Sequence, residues 1–178
     1  DEGLGTVYER FMLNNFFDDL IANYDTRDVL EVPVYGMTGL TGINSVRFVD
    51  RGCNVTMVDT KKECIAEAIE LWNSLPYDVN KFNILYHENL SKLPFKDGNF
   101  DLVWNFAALW HVKEPDLLLA EMARVSSKLV LIFMPNKKQI GYQLRKYLLD
   151  KNFFNGIHEK LADIIRIRSF FNSIGLKM

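Results

Sequence analysis

Residues 100–106 read FDLVWNF, a run with apolar side chains on both of its alternating faces. A strand buried on both sides belongs inside a parallel sheet with a helical layer on each face. Four other runs read as strands: residues 29–34 (VLEVPV), 54–58 (NVTMV), 82–86 (FNILY) and 128–134 (KLVLIFM). Around them, apolar residues near a 3.6-residue period predict helices over 4–24, 39–51, 60–74, 115–125, 139–149 and 157–174. Local signals agree with those limits. Thr60 and Glu63 form a capping-box pair, Pro115 suits a first helical turn, and Gly52 and Gly175 suit helix stops. Strands alternating with helices define an α/β fold: a doubly wound, mainly parallel sheet with helices on both faces.

Composition narrows the function classes. A chain of 178 residues with 48% hydrophobic content suits one domain with a substantial core. The net charge is −2 and no basic run occurs, which disfavours a nucleic-acid partner. No apolar stretch approaches the roughly 20 residues of a membrane span, and the mixed, acidic start DEGLGTVYER does not read as a signal peptide. Cys53 and Cys64 do not form a disulfide framework, so the expected location is cytoplasmic. The chain starts without Met and stops at Leu176-Lys177-Met178, which reads as a piece of a longer protein.

In an open parallel sheet the ligand lies beyond the carboxyl ends of the strands. Those ends carry Glu31 to Gly39, Asp59, the stretch 87–93, Asn105 to His111, and residues 134–136. Gly36, Gly39 and Gly42 follow the first strand, where glycine lets backbone approach a ligand without an intervening Cβ; a plain tight turn would use them equally well. Asp59 ends the second strand, where a carboxylate can accept hydrogen bonds from the two vicinal hydroxyls of a ribose, or sit as an acid at a helix start. Glu31 beside the glycine loop would repel a pyrophosphate and suits a ligand with positive charge and no phosphate. His87, His111 and His158 lack metal-ligand spacing, and no cysteine pair supports zinc, so no metal is expected.

With those residues in view, the sequence resembles the class I S-adenosylmethionine-dependent methyltransferases, most of all the branch compared with ubiquinone and menaquinone biosynthesis methyltransferases. The resemblance covers residues 28–136. It rests on the acid-led glycine loop, on residues 55–59, on 93–103 (LPFKDGNFDLV, against L-P-F-x-D-x-x-F-D-x-V), on 106–112 (FAALWHV) and on 121–125 (EMARV). It implies S-adenosylmethionine as cofactor, with S-adenosylhomocysteine as product. Glu31, Gly36 and Gly39 would hold the methionine end, and Asp59 the ribose. Asn89 would face the adenine amino group with Leu90 beside it. Asn105 and Phe106 would line the methyl end. The loop departs from E-x-G-x-G-x-G, with Pro33 at the first glycine and one or two extra residues. A complete sheet of this family has two more strands after the fifth, and here they are absent.

Methyl transfer from a sulfonium needs positioning and exclusion of water more than a fixed catalytic group. Phe106, Trp110 and Tyr8 are aromatic candidates for the neighbourhood of the sulfonium, and His111 is a candidate base for a hydroxyl acceptor. No Asn-Pro-Pro-Tyr segment follows the fourth strand, which runs Asn105-Phe106-Ala107-Ala108, so a planar amino acceptor is disfavoured. A small-molecule or lipid-like acceptor remains. Residues 1–27 form an expected N-terminal lid, 28–136 the cofactor core, and 137–178 a second lid segment. Two other readings stay open. A nicotinamide-linked (NAD(P)) oxidoreductase shares the glycines and Asp59 but leaves Glu31 and LPFKDGNFDLV without a role. A non-catalytic binding protein of the same fold would account for the altered loop.

Overall fold

Strand β1 (Asp28–Glu31) lies in the middle of the sheet, hydrogen-bonded on one side to β2 (Asn54–Asp59) and on the other to β4 (Phe100–Phe106). Strand β3 (Phe82–Tyr86) continues outward from β2, and β5 (Ser126–Phe133) from β4. The order is β3-β2-β1-β4-β5 and every pairing is parallel. The chain winds one way from β1 to β3 and the other way from β4 to β5. A crevice therefore opens at the carboxyl ends of β1 and β4, where the winding reverses. The computed structural model describes residues 4–35, 40–144 and 163–176.

Side-chain alternation divides the core in two. Val29, Leu102 and Trp104 face helices α1 (Leu4–Tyr24), α2 (Val46–Asp50) and α3 (Lys62–Ser74). Leu30, Val103 and Val58 face α4 (Pro115–Val125) and the last described helix, Ile164–Ser173. Between these two helices lies the short α5 (Ile140–Leu144), so the last is α6. A groove of about 540 Å³ runs along the free edge of β5 beside Ile164, Ile167 and Phe171.

Helix α1 has the predicted limits, and only part of its apolar surface packs on the core. Leu13, Phe17 and Leu20 are buried, with the Phe17 ring 4.5 Å from Phe48 and 5.0 Å from Trp104. Tyr8, Phe11, Met12 and Phe16 are exposed. Apolar residues occur almost all round this helix, so periodicity did not select a face. An ion-pair fork selects it: Asp18 accepts two bonds from Arg47, at 2.8 and 2.6 Å, and two from Arg51, which joins α1 to α2. Those bonds, the Arg51 pair first, hold the Asp18 carboxyl well below the usual carboxylate range.

Other boundaries move for local reasons. Beyond Glu31 only Val32 and Val34 keep sheet-like bonds, to Trp104 and Val58, because Pro33 has no N–H to give. The helix expected over 39–51 is a 3₁₀ turn (Ile43–Ser45) followed by α2. The Thr60 capping box does not form; Lys61 stands at the N-cap position, and its N–H is donated to Asp59 at 2.8 Å. Of the two C-terminal helices expected, residues 145–162 lie outside the described residues.

The LPFKDGNFDLV segment is a structural joint. Arg124 donates to the carbonyls of Phe95 (2.9 Å) and Leu93 (3.2 Å) and to Asp97 and Glu121. Glu121 in turn accepts the Leu93 N–H at 2.7 Å. Asp101 accepts the N–H groups of Arg27 (2.8 Å) and Asp28 (3.2 Å) and pairs with Lys128 at 3.1 Å. One carboxylate thus ties the amino ends of β1, β4 and β5 together.

Candidate active site

The described carboxyl ends of β1, β2 and β4 surround a cleft of about 430 Å³ lined by Pro33, Tyr35, Asp59, Thr60, Lys61, residues 88–91 and residues 111–114. Asp59 sits at its base, almost fully buried. One carboxylate oxygen accepts the Tyr35 N–H at 2.8 Å and the other accepts the Lys61 N–H at 2.8 Å. A carboxylate offers about four lone-pair sites. Two are spent on fixing its orientation and two remain, the number a vicinal diol requires. The acceptor sites left at this strand end therefore fit the hydroxyls of a ribose.

Glu31 is 3% exposed and does not line the cleft. Its side chain lies on the α2 side of the sheet, 2.6 Å from the Ser45 hydroxyl. Burial pushes its carboxyl up to about 8; the Ser45 bond opposes that rise and the charge of Asp59 adds to it. The pair joins the end of β1 to the turn that follows the glycine loop. Gly36 and Gly39 lie outside the described residues. Gly42 at the loop exit has φ +77, and a Cβ there would stand 2.9 Å from the Met57 sulfur and 3.2 Å from Trp72 Nε1. Its carbonyl accepts the Trp72 indole N–H at 3.2 Å, so only glycine fits.

Asn89 and Leu90 line the cleft as neighbours. The Asn89 side-chain oxygen accepts the Ser91 N–H at 2.9 Å, which shapes the loop, and Leu90 is buried as an apolar wall. Asn105 is fully buried and turned toward α4, its amide nitrogen 3.6 Å from the Met122 sulfur. Its side-chain oxygen has no hydrogen-bond partner. Phe106 is half-buried against Phe133, with ring centroids 5.4 Å apart. Ala107 follows with φ 51, a left-handed conformation uncommon outside glycine, and turns the chain into Leu109–His111. Trp110 is buried and Tyr8 is exposed on α1. His111 lines the cleft; burial, and then the charge of Lys61, lower its pKa, so the neutral imidazole prevails near neutral pH.

Three residues at this site carried no signal at the sequence level. Ser45 is a small polar residue in a predicted helix. Tyr35 stands in the altered loop with its ring 4.9 Å from that of His111, and Lys61 lies with its ammonium 3.2 Å from the Tyr35 ring centre. Asp59 leads to Tyr35 and Lys61 through their backbone N–H groups, and Glu31 leads to Ser45; both links are visible only in three dimensions. Among the described residues no cluster of histidine, cysteine or acidic side chains could hold a metal ion, and no helix is long and apolar enough to cross a membrane.

The comparisons with known proteins bear on family and fold. The model of a methyltransferase domain family matches residues 37–133. None of the curated proteins is a significant sequence match. Among solved structures, the chain is similar to magnesium protoporphyrin IX methyltransferase from Synechocystis PCC 6803 with bound SAH, at TM-score 0.70 and 18% identity over 96% of this chain and 74% of that one. It is also similar to a SAM-dependent methyltransferase from Aquifex aeolicus, at TM-score 0.62 and 19% identity over 89% and 78%. A third, from Methanosarcina mazei, reaches 26% identity at TM-score 0.56 over 71% and 62%. The family model over residues 37–133, on a parallel sheet shared with these solved structures, defines a class I methyltransferase domain. The chain belongs to that family of S-adenosylmethionine-dependent enzymes.

Proposed function

We propose that this chain holds S-adenosylmethionine in the cleft above β1 and β2 and directs its methyl group to a small-molecule or lipid-like acceptor. The observation that carries this is Asp59, whose carboxylate is fixed by two backbone N–H groups with two acceptor sites left over, inside a cleft of nucleoside dimensions. The cofactor supplies the electrophilic methyl carbon on a sulfonium. Asp59 accepts the ribose hydroxyls, Leu90 contacts one face of the base, and the Asn89 amide reads its edge. Glu31 acts through Ser45, keeping the exit of the glycine loop in place, while Gly36 and Gly39 supply loop backbone. Asn105 and Phe106 close the β4 end, with the buried Asn105 oxygen as an acceptor for a donor group or a water. His111, neutral and half-buried, can take the proton of a hydroxyl acceptor.

Residues 1–27 and 137–178 cover the acceptor side in this reading. In its support, Phe16 of α1 packs edge-on against Phe133 (5.9 Å), which packs against Phe106. An aromatic path therefore leads from the end of β4 to the exposed face of α1. Two free, buried cysteines support a cytoplasmic location.

Isothermal titration calorimetry with S-adenosylmethionine, S-adenosylhomocysteine and NAD tests the reading. Binding of the first two but not the third is expected. Binding of NAD alone would return the site to the oxidoreductase reading.

A further inference from the structure

The geometry points to Tyr35 as a cofactor-selecting residue, its ring face receiving the cationic sulfonium in exchange for the Lys61 ammonium that rests on it. This inference rests on the proposed S-adenosylmethionine site and adds to it a residue of the altered loop. Tyr35 is tied to the ribose acid itself, its N–H 2.8 Å from Asp59. Its ring lines the same cleft, and Lys61 Nζ lies 3.2 Å from the ring centre. His111 packs on the ring at 4.9 Å, which fixes the ring between two neighbours. A ring face that already carries a cation is a surface of the right charge preference for another.

Lys61 suits the part of a displaceable occupant. Its backbone N–H is anchored to Asp59, while its side chain is exposed and, among the described residues, makes no ion pair with an acid of the cleft. A primary ammonium is strongly hydrated and regains its water when it swings out. A sulfonium has no N–H groups and loses less hydration on an aromatic face, as quaternary ammonium groups do in aromatic cages. The exchange therefore favours the charged cofactor over its neutral thioether product, which shares every other group with it. A glycine in place of Tyr35 could not make that distinction.

Calorimetry with S-adenosylmethionine and S-adenosylhomocysteine on the wild type, Y35F, Y35L and K61Q tests this, with circular dichroism to check that each variant is folded. For Y35L, affinity for S-adenosylmethionine should fall about tenfold and that for S-adenosylhomocysteine less than about threefold. Y35F keeps the ring face and should stay within about twofold of wild type for both. K61Q removes the competitor and should tighten S-adenosylmethionine relative to S-adenosylhomocysteine by roughly twofold or more. Equal losses of both ligands in Y35L, or weaker S-adenosylmethionine binding in K61Q, would overturn the inference and leave the cofactor site standing. A wild-type protein that binds neither ligand would overturn the site and the inference together.

Discussion

The Glu31 carboxyl meets the Ser45 hydroxyl at 2.6 Å inside the protein, across the glycine loop that separates them in sequence. An acid at the end of β1 is thereby used to hold the start of the following helical turn, and burial keeps it protonated well above the ordinary carboxylate range. Ser45→Ala strips that buried carboxyl of its partner and should cost about 1–3 kcal/mol of stability, read by urea denaturation. Glu31→Gln keeps a neutral hydrogen-bonding group of the same shape and should cost less.

The same pair gives a pH signature. The folded value of Glu31, about 8, lies above the 4.5 of an ordinary glutamate. The folded protein therefore retains a proton that the unfolded chain releases. This contribution is fully present below about 4.5 and is lost as pH rises toward about 8. Denaturation midpoints measured across that window should fall with pH in the wild type more steeply than in Glu31→Gln. Parallel profiles would show that Glu31 is ionised in the fold.

Asp59 serves two purposes, and substitution should separate them. Asp59→Ala removes the acceptor for ribose hydroxyls and should weaken S-adenosylmethionine by about 1–3 kcal/mol in calorimetry. It also frees the N–H groups of Tyr35 and Lys61, so the midpoint of thermal unfolding should drop without ligand. Unchanged affinity in the folded variant would remove Asp59 from the ribose position.

Arg124 should matter to stability rather than to the cofactor. Its guanidinium meets two carbonyls and two carboxylates around residues 93–97. Arg124→Ala should cost about 2–3 kcal/mol in urea denaturation. Arg124→Lys should recover little of it, because an ammonium cannot reproduce a planar, forked donor. Affinity for S-adenosylhomocysteine in either folded variant should stay near wild type.

The two aromatic populations of α1 make a matched pair. Phe17→Ala empties a site among Phe48, Trp104 and Phe133 and should cost about 3–5 kcal/mol. Phe11→Ala removes an exposed ring and should stay within about 0.5 kcal/mol. A large cost at Phe11 would mean that its face is covered in solution.

The strands were legible from sequence as continuous apolar runs: FDLVWNF is buried on both faces, while LVLIF is an edge strand that stays half-buried. From that pattern follow the parallel sheet, the crevice and the placing of Asp59 at the end of the strand beneath it. The packing face of α1 was not legible, since Phe11, Met12, Leu13, Phe16 and Phe17 supply apolar side chains in several directions. Asp18, reaching Arg47 and Arg51 on another helix, decides between them. The LPFKDGNFDLV segment was readable as a signature, but its work of joining β1, β4, β5 and α4 depends on Asp101 and Arg124 meeting partners far away in the chain. Within the site, strand order alone determined that Glu31 and Asp59 lie near one end of the sheet. Tertiary structure decided that Glu31 turns inward to Ser45 while Asp59 faces the cleft, because neighbouring strands set which side of the sheet each side chain can take. The meeting of Tyr35, Lys61 and His111 is a fact of three dimensions only: no local propensity records which side chains from three separate loops will share one cleft.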